Sequence, residues 1–400
     1  MTALDTYRRH LVDDVLAWWA ANGPDEEHGG VLTCWDNAGT RLVATDKYTW
    51  SQGRWAWLTA RVALAAQRGV LDPGDRWDAA WYAEQATRTA RFVRDHALLP
   101  DGTTAFVTTR AGEPGAHTSV FADLFAALGF AGVAQLSPDG DWGGYADDIL
   151  LRSASAIDAG RFRSDPYPVP AGHRSFGLPM ILVGVGEQVH RATGSQAAAA
   201  VVRDAARQIE ECHLDTDGDG DDIAEMPATD ESRRGGLLAR HRTPGHVLEA
   251  AWFLHHARDL LAGSALAEPD RLARIAVRAL DLGWDDVHGG LLRYVDRAGG
   301  APTGARTDDP YEALVVDTWD TKLWWPHAEA LYATALLAPD RHAGLHDYVV
   351  ATFPEGPGRE WTQIRTRDGA PLEKIVALPV KDPFHIARAL LMLVELEGEG

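Results

Sequence analysis

The sequence predicts an all-α fold, and three observations lead to this prediction. Short stretches rich in glycine, aspartate and proline separate long segments with helical spacing of apolar residues. The motif DEEHGGVLTCWDNAG at 25–39 returns as DDVHGGLLRYVDRAG at 285–299. Twelve helices are predicted, at 3–21, 51–69, 75–97, 118–135, 144–160, 173–193, 196–212, 244–262, 267–282, 326–337, 340–350 and 383–396. Together these observations predict a toroid of six helical hairpins, an (α/α)6 barrel.

The segments between the helices predict short β-hairpins in the connecting loops. GGVLTCWDNAGTRL, TTAFVTTRAGEP and EWTQIRTRDGAP each join β-prone residues to a turn. No Pro/Ser-rich linker or change of composition divides the chain. We therefore expect one domain over residues 1–400, with a two-domain helical protein as the alternative.

In such a barrel, alternate helices form the inner ring. Six inner helices would then begin near Ser51, Thr118, His173, Thr243, Trp325 and Asp382. If these helices run parallel, all six N-termini open at the same mouth. The sequence therefore directs the search for chemistry to the first turns of these helices.

Composition limits the classes of partner. The formal charge of −20 over 400 residues argues against binding to nucleic acid or to an anionic membrane surface. The two cysteines, Cys34 and Cys212, form no disulfide framework. No signal peptide and no membrane-spanning apolar stretch is recognisable, so a cytoplasmic location is expected. The fifteen tryptophans suit either a large helical core or a surface that stacks on sugar rings.

Two of the predicted inner helices begin with the same pattern. In TPGH, Thr243 is the expected N-cap and His246 the third helical residue; in DPFH, Asp382 and His385 hold these positions. The helix dipole disfavours imidazolium in a first turn, which leaves the ring neutral, as a general base requires. Each histidine could also be a hydrogen-bonded residue of the core.

Glu249 follows His246 by three residues, on the same helical face. The pair could bind a metal, fix a core histidine, or join a catalytic base to a carboxylate that orients it. No second matching motif supplies further ligands, so we expect no metal. The segment DTDGDGDDIAEM at 215–226 begins like an EF-hand, but its twelfth position is Met226, which favours a solvated acidic turn.

Other first turns contain further candidates. Arg54 lies near three tryptophans and could bind a sugar hydroxyl or a developing enolate oxygen, although it could equally be a solvated arginine. Trp325 and Glu329 are four residues apart and could combine a stacking platform with a hydroxyl acceptor. His173 stands at the start of the third inner helix.

Four blocks, KYTWSQGRWAW, PGHVLEAAWFL, KLWWPHAEAL and DPFHIARALL, resemble signature blocks of the N-acylglucosamine 2-epimerase superfamily, in the same order. The resemblance extends over almost the whole chain and implies an (α/α)6 barrel. Ala387 and His327 depart from the superfamily pattern, where proline and glutamine are common. The resemblance implies that the acid/base pair is His246 and His385, and that the substrate-binding residues are Arg54, His173, Glu249, Trp325 and Glu329.

The resemblance also implies the reaction. A free monosaccharide would open its ring and lose its C2 proton to give a cis-enediol, which returns as a 2-epimer or a ketose without a cofactor. We expect a mannose-type substrate, converted to fructose or exchanged with glucose; N-acetylmannosamine and N-acetylglucosamine are the alternative. A homodimer is a further expectation. A glycoside hydrolase that uses Glu249 and Glu329, or a non-catalytic binding toroid, are the remaining alternatives.

Overall fold

A computed structural model describes residues 2–138, 140–215, 220–376 and 378–398 of the chain. Within these ranges, twelve long helices are labelled α1 to α12 in chain order. They are α1 (Ala3–Arg9, continued by the π-helical His10–Leu16 and by Ala17–Asn22), α2 (Thr49–Gln67), α3 (Ala79–Phe92, continued by Val93–Ala97), α4 (Val120–Leu136), α5 (Trp142–Asp158), α6 (Gly177–Thr193), α7 (Gln196–Gln208, continued by Ile209–His213), α8 (Pro244–Ala257), α9 (Pro269–Gly283), α10 (Trp324–Leu337), α11 (Pro339–Thr352) and α12 (His385–Gly398).

The helices form two concentric rings, which confirms the predicted (α/α)6 barrel. Each even-numbered helix packs against the next even-numbered helix, and α12 packs against α2, so the inner ring is closed. Each odd-numbered helix packs on the outside of this ring, with α1 against α12. No helix within the described ranges is long and apolar enough to cross a membrane. Two short helices that were not predicted, Leu237–Arg240 and Pro310–Thr318, lie in the connecting segments.

Helices α2 and α4 approach each other closely because glycines lie at their contact. A Cβ atom on Gly53 would lie 1.9 Å from the carbonyl oxygen of Phe125, and one on Gly129 would lie 2.8 Å from the carbonyl oxygen of Gly53. A larger side chain at either position would push the two helices apart. The close approach places the guanidinium of Arg54, one residue after Gly53, over the ring of Phe125.

The strands are short, and three of the eight lead directly into inner helices. They form four antiparallel pairs, Lys47–Tyr48 with Val107–Thr108, Leu214–Asp215 with Asp222–Ile223, His241–Arg242 with Val295–Asp296, and Lys322–Leu323 with Ile364–Arg365. The three predicted hairpins are present, each closed by an antiparallel bridge, Trp35 with Leu42, Thr108 with Pro114 and Arg365 with Pro371. The strands in the second and third of these stretches pair in addition with the segments that enter α2 and α10, because those segments have backbone groups to satisfy.

The first copy of the internal repeat folds around a buried ion network. Asp25 is fully enclosed, lies 2.9 Å from Nζ of Lys47, and accepts two hydrogen bonds from Arg110. Lys47 also donates to the carbonyl oxygen of Gly29, in a loop whose two glycines have positive φ. The side-chain oxygen of Gln52 in α2 accepts the N–H of Val31 and holds this loop against the helix.

The second copy repeats the network at the entrance to α10. Asp285 contacts Lys322 at 3.1 Å and accepts two hydrogen bonds from Arg367. His327 takes the place of the glutamine, since its Nε2 accepts the N–H of Leu291. Burial lowers the pKa of His327 to about 3, so the ring stays neutral and accepts this bond at physiological pH. The loop structure therefore accommodates histidine at position 327, where the superfamily commonly has glutamine.

We predict that Asp25→Asn destabilises the fold, because it leaves the buried ammonium of Lys47 without a counter-charge. The expected loss in the free energy of unfolding is about 3–5 kcal/mol, measured by denaturant titration. Although burial raises the pKa of Asp25, its partners Arg110 and Lys47 lower it further, to a value below the ordinary 3.8. The contribution of Asp25 is thus present above pH 3.8 and is lost as the pH falls through the folded-state pKa.

The matched control is Asp204→Asn, which removes a carboxylate from an exposed ion pair with Arg207. This variant should change the free energy of unfolding by less than about 1 kcal/mol. Equal stabilities of the two variants at neutral pH would show that the Asp25 network does not hold the barrel entrance.

Candidate functional site

A cavity of about 190 Å³ lies at the mouth where the inner helices begin. Its walls come from the first turns of the six inner helices and from the segments between them. Five of the predicted site residues line this cavity, namely Arg54, His246, Glu249, Trp325 and His385. These residues are far apart in the sequence, and the parallel inner helices bring them together.

His246 is held by a buried carboxylate. The ring lies in the first turn of α8, after Pro244, and its Nδ1 is 3.0 and 3.1 Å from the two side-chain oxygens of Glu225. Glu225 is almost fully buried and lies two residues after the strand Asp222–Ile223. Thr243 occupies the N-cap position as predicted, but its hydroxyl accepts no capping hydrogen bond.

The charge of His246 differs from the sequence-based expectation. Burial disfavours imidazolium, but the charge and hydrogen bonds of Glu225, with the charge of Glu249, outweigh it, so the pKa of His246 is raised above 6.5. Burial likewise opposes ionisation of Glu225, yet His246 keeps the pKa of that carboxyl below its usual value. The helix dipole alone predicted a neutral ring; the carboxylate partner, which comes from another segment, reverses the shift.

His385 has the same arrangement with a different carboxylate. Its Nδ1 lies 2.7 Å from Oε1 of Glu329, and both groups are buried. The carboxylate of Asp382 accepts the backbone N–H of His385 and the indole N–H of Trp324. Asp382 therefore caps the helix as predicted, although α12 begins at His385 itself. In both histidines Nδ1 is engaged, which leaves Nε2 as the nitrogen available to a ligand.

A single guanidinium joins the carboxylates below the cavity. Nη2 of Arg388 lies 2.6 Å from Oε1 of Glu249 and 2.7 Å from Oε1 of Glu329. The indole N–H of Trp252 donates to the other oxygen of Glu329. Burial opposes ionisation of Glu329, but Arg388 and His385 lower its pKa. The carboxylate of Glu329 is thus held in its charged form by a fixed cation that also contacts Glu249.

The same cluster bears on the prediction that no metal binds. Ligating atoms of Glu249, Glu329 and His385 lie within 4.8 Å of one another. Arg388 donates to both carboxylates there, so a divalent cation would meet a like charge at contact distance. In the EF-hand-like segment, residues 216–219 lie outside the described part of the chain, and Asp215 forms an ion pair with Arg242.

Arg54 and Trp325 shape the walls beside the histidines. The guanidinium of Arg54 lies 3.4 Å from Asp382 and 4.1 Å from the ring centroid of Phe125, and burial lowers the pKa of Arg54 to about 10. The indole of Trp325 lies 4.9 Å from the ring of His246 and 6.1 Å from that of His385. Trp325 therefore touches both histidines and presents a flat apolar surface between them.

Two predicted residues lie outside the cavity wall. Glu329 lies beneath it, where it holds His385 and Arg388. His173 lies in the loop before α6, is bridged to Ala228, and its Nδ1 is 3.2 Å from the carbonyl oxygen of Ala171. The described residues that line the cavity do not include His173.

Several site residues were missed in the sequence. Glu225 lies in the segment that was interpreted as a solvated acidic turn, and only the fold brings it to His246. Arg388 follows His385 by three residues on the same helical face, a spacing that could have indicated it. The cavity wall also contains Arg293 and the tyrosines Tyr167, Tyr294 and Tyr311, for which the sequence offers no local signal.

Known proteins are similar to the chain in sequence and in fold. The family described as N-acylglucosamine 2-epimerase (GlcNAc 2-epimerase) matches residues 187–389. The N-acylglucosamine 2-epimerase of Bos taurus is 27% identical over 413 residues, which cover 98% of this chain and 90% of the relative.

Two solved structures share the barrel. A sugar epimerase from a ruminal bacterium superposes with a TM-score of 0.77 at 17% identity and covers 99% of both chains. A D-mannose isomerase superposes with a TM-score of 0.76 at 16% identity, again over 99% of both chains.

The family match and the relatives that cover nearly the whole chain define an enzyme of the epimerase and isomerase class. The chain belongs to the N-acylglucosamine 2-epimerase family. The superfamily indicated by the four sequence blocks is therefore confirmed.

We predict that Glu225→Gln lowers the pKa of His246 by about one unit or more, because the attraction to imidazolium disappears while the burial remains. The pKa is measured by following the ring protons of His246 in an NMR pH titration. Glu395→Gln, at the opposite end of the barrel, is the control and should leave this pKa unchanged. An unaltered titration in Glu225→Gln would mean that Glu225 does not set the charge of His246.

Proposed function

We propose that the enzyme moves the C2 proton of an open-chain aldose, with His246 and His385 as the acid/base pair. The observation that carries the proposal is that both rings line one cavity and each has its Nδ1 fixed by a buried carboxylate. A ring that donates Nδ1–H to a carboxylate presents the lone pair of Nε2 when neutral and a second proton when charged. Each histidine can therefore accept or donate a proton on the cavity side.

The remaining groups suit the intermediate. The α-proton of an aldehyde is too weakly acidic for imidazole alone, so the negative charge that develops on the oxygens must be stabilised. Arg54 lines the cavity beside His385 and supplies a guanidinium for the enediolate oxygens. Glu249 is fixed by Arg388 and can accept a sugar hydroxyl. The raised pKa of His246 suits it to returning the proton.

For the substrate, we propose an N-acylated hexosamine of the gluco or manno configuration. Relatives named N-acylglucosamine 2-epimerase match nearly the whole chain. The cavity lining includes apolar residues that could take an acyl methyl group, among them Phe121, Met180, Ile181 and Val376. The mannose-type substrate expected from the sequence is the second candidate, favoured by the likeness to a D-mannose isomerase.

A glycoside hydrolase mechanism fits the carboxylates poorly. Such an enzyme needs a carboxylic acid with a raised pKa that can protonate the leaving oxygen. Glu329 has a lowered pKa, and its two oxygens accept hydrogen bonds from Arg388, Trp252 and His385. Glu249 is ion-paired with the same Arg388.

We further propose a cytoplasmic, single-domain enzyme that acts as a homodimer without a metal or cofactor.

The test is proton exchange at C2 in D2O, followed by NMR with N-acetylmannosamine, N-acetylglucosamine, mannose, glucose and fructose. We expect deuterium at C2 together with a 2-epimer or a ketose. His246→Asn and His385→Asn should each lower the exchange rate by about 10²- to 10⁴-fold, because each removes one proton-transfer group.

His288→Asn, at an exposed position, is the matched control and should retain the wild-type rate. Full exchange in either His246→Asn or His385→Asn would remove that residue from the mechanism. Folded protein without C2 exchange on any sugar of the panel would contradict the proposed function.

A further inference from the structure

Arg293 is a buried cation of the cavity wall that lacks an acidic partner. Its side chain is almost entirely enclosed, and it lines the cavity that holds His246 and His385. Nη1 donates to the hydroxyl of Thr318 at 3.1 Å, and the guanidinium is hydrogen-bonded to Tyr167. Nε of Arg293 has no hydrogen-bond partner. No carboxylate among the described residues lies within 4.0 Å of this guanidinium.

The other buried cations in the described part of the chain all have acidic partners. Seven lysine and arginine side chains are buried, and each of the other six forms an ion pair with at least one carboxylate. These pairs are Lys47 with Asp25, Arg242 with Asp215 and Asp222, Lys322 with Asp285, Arg365 with Glu355, Lys381 with Glu360, and Arg388 with Glu249 and Glu329. Arg293 has no such carboxylate. Unlike the other six, it lines the cavity that contains His246 and His385, where a ligand can reach it.

The neighbours of Arg293 do not neutralise it. The ring of Tyr294 lies 4.8 Å from the guanidinium carbon, which gives a cation–π contact. Burial raises the pKa of Tyr294 and of Tyr311, so both phenols stay uncharged at neutral pH. Glu225 is the nearby acid of this wall, and its carboxylate is already paired with His246. A guanidinium cannot lose its proton to escape the cost of burial.

A buried charge without a counter-charge is expensive, and proteins retain such strain where a ligand relieves it. We propose that Arg293 binds an acidic group on the sugar, so that the substrate is an aldose that carries a carboxylate, sulfonate or phosphate. Tyr294 and Tyr311 add uncharged hydroxyls to this subsite that can bind the same oxygens, whereas the hydroxyl of Tyr167 donates to the carbonyl oxygen of Val376. The inference rests on the proposed function, since it concerns the sugar bound at the same histidines.

The experiment compares acidic sugars with their neutral counterparts. C2 exchange in D2O is measured as kcat/KM for mannose 6-phosphate, mannuronate and 6-deoxy-6-sulfomannose against mannose, and for N-acetylmannosamine 6-phosphate against N-acetylmannosamine. We expect the wild-type enzyme to prefer at least one acidic sugar over its neutral partner, and the arms identify which acid it is. Arg293→Gln should lower this preference by roughly 10- to 100-fold, the range for a hydrogen bond to a charged group.

Arg293→Lys is the matched control, because it keeps the charge but loses the planar fork, and it should retain part of the preference. A second readout is thermal unfolding without ligand. Arg293→Gln should raise Tm, because it removes an unpaired buried charge, whereas a merely structural role predicts a lower Tm. A lower Tm together with an unchanged preference would overturn the inference.

The result also separates the inference from the proposed function. Exchange on neutral sugars with no preference for any acidic partner would contradict the role of Arg293 and leave the proposed function standing. If no sugar exchanged at C2, the proposed function would fail, and calorimetric titration with mannose 6-phosphate and with mannuronate would decide the inference. Binding that is lost in Arg293→Gln would support it, and absent or equal binding in both proteins would overturn it.

Discussion

The interaction on which the site depends is the bridge that Arg388 makes between Glu249 and Glu329. These groups come from α12, α8 and α10, three neighbouring helices of the inner ring, and all three side chains are buried. Two carboxylates this close cannot both stay ionised without a cation, since one of them would take up a proton. Arg388 therefore keeps Glu329 charged, and the charged Glu329 holds the ring of His385 by its Nδ1. The position of one catalytic histidine thus follows from a charge balance at the centre of the barrel.

Buried ion pairs also occur around the mouth of the barrel. A buried lysine or arginine lies just before four of the inner helices, at Lys47, Arg242, Lys322 and Lys381. A cation at a helix N-terminus opposes the dipole, so each needs the carboxylate that the fold provides. These pairs tie the loops to the helix starts and make a rigid frame for the side chains that line the cavity. His246 is held by the carboxylate of Glu225, which belongs to a loop rather than to the inner ring.

The sequence predicted the barrel well because its evidence is local and repeated. Helical periodicity located the inner helices to within a few residues, and the repeated HGG motif marked two equivalent loops. Proline and a capping residue before each histidine placed His246 and His385 at helix starts, and the closed ring brought these starts together. The sequence could not predict the contacts that only the tertiary fold creates. Glu225 reaches His246 from 21 residues away, and Arg293 faces tyrosines from three separate segments. The raised pKa of His246 follows from such a partner, so helix position alone gave the wrong sign.

The tautomeric state of the two histidines most directly tests whether the buried carboxylates set up the acid/base pair. Long-range ¹H–¹⁵N NMR of the wild-type enzyme, with His246→Asn and His385→Asn used for assignment, distinguishes a protonated Nδ1 from a protonated Nε2. At a pH where the rings are neutral, we predict that both carry their proton on Nδ1 and point an unprotonated Nε2 into the cavity. A proton on Nε2 of either ring would contradict it, because the carboxylate could not then accept from Nδ1 and the cavity side would have no base.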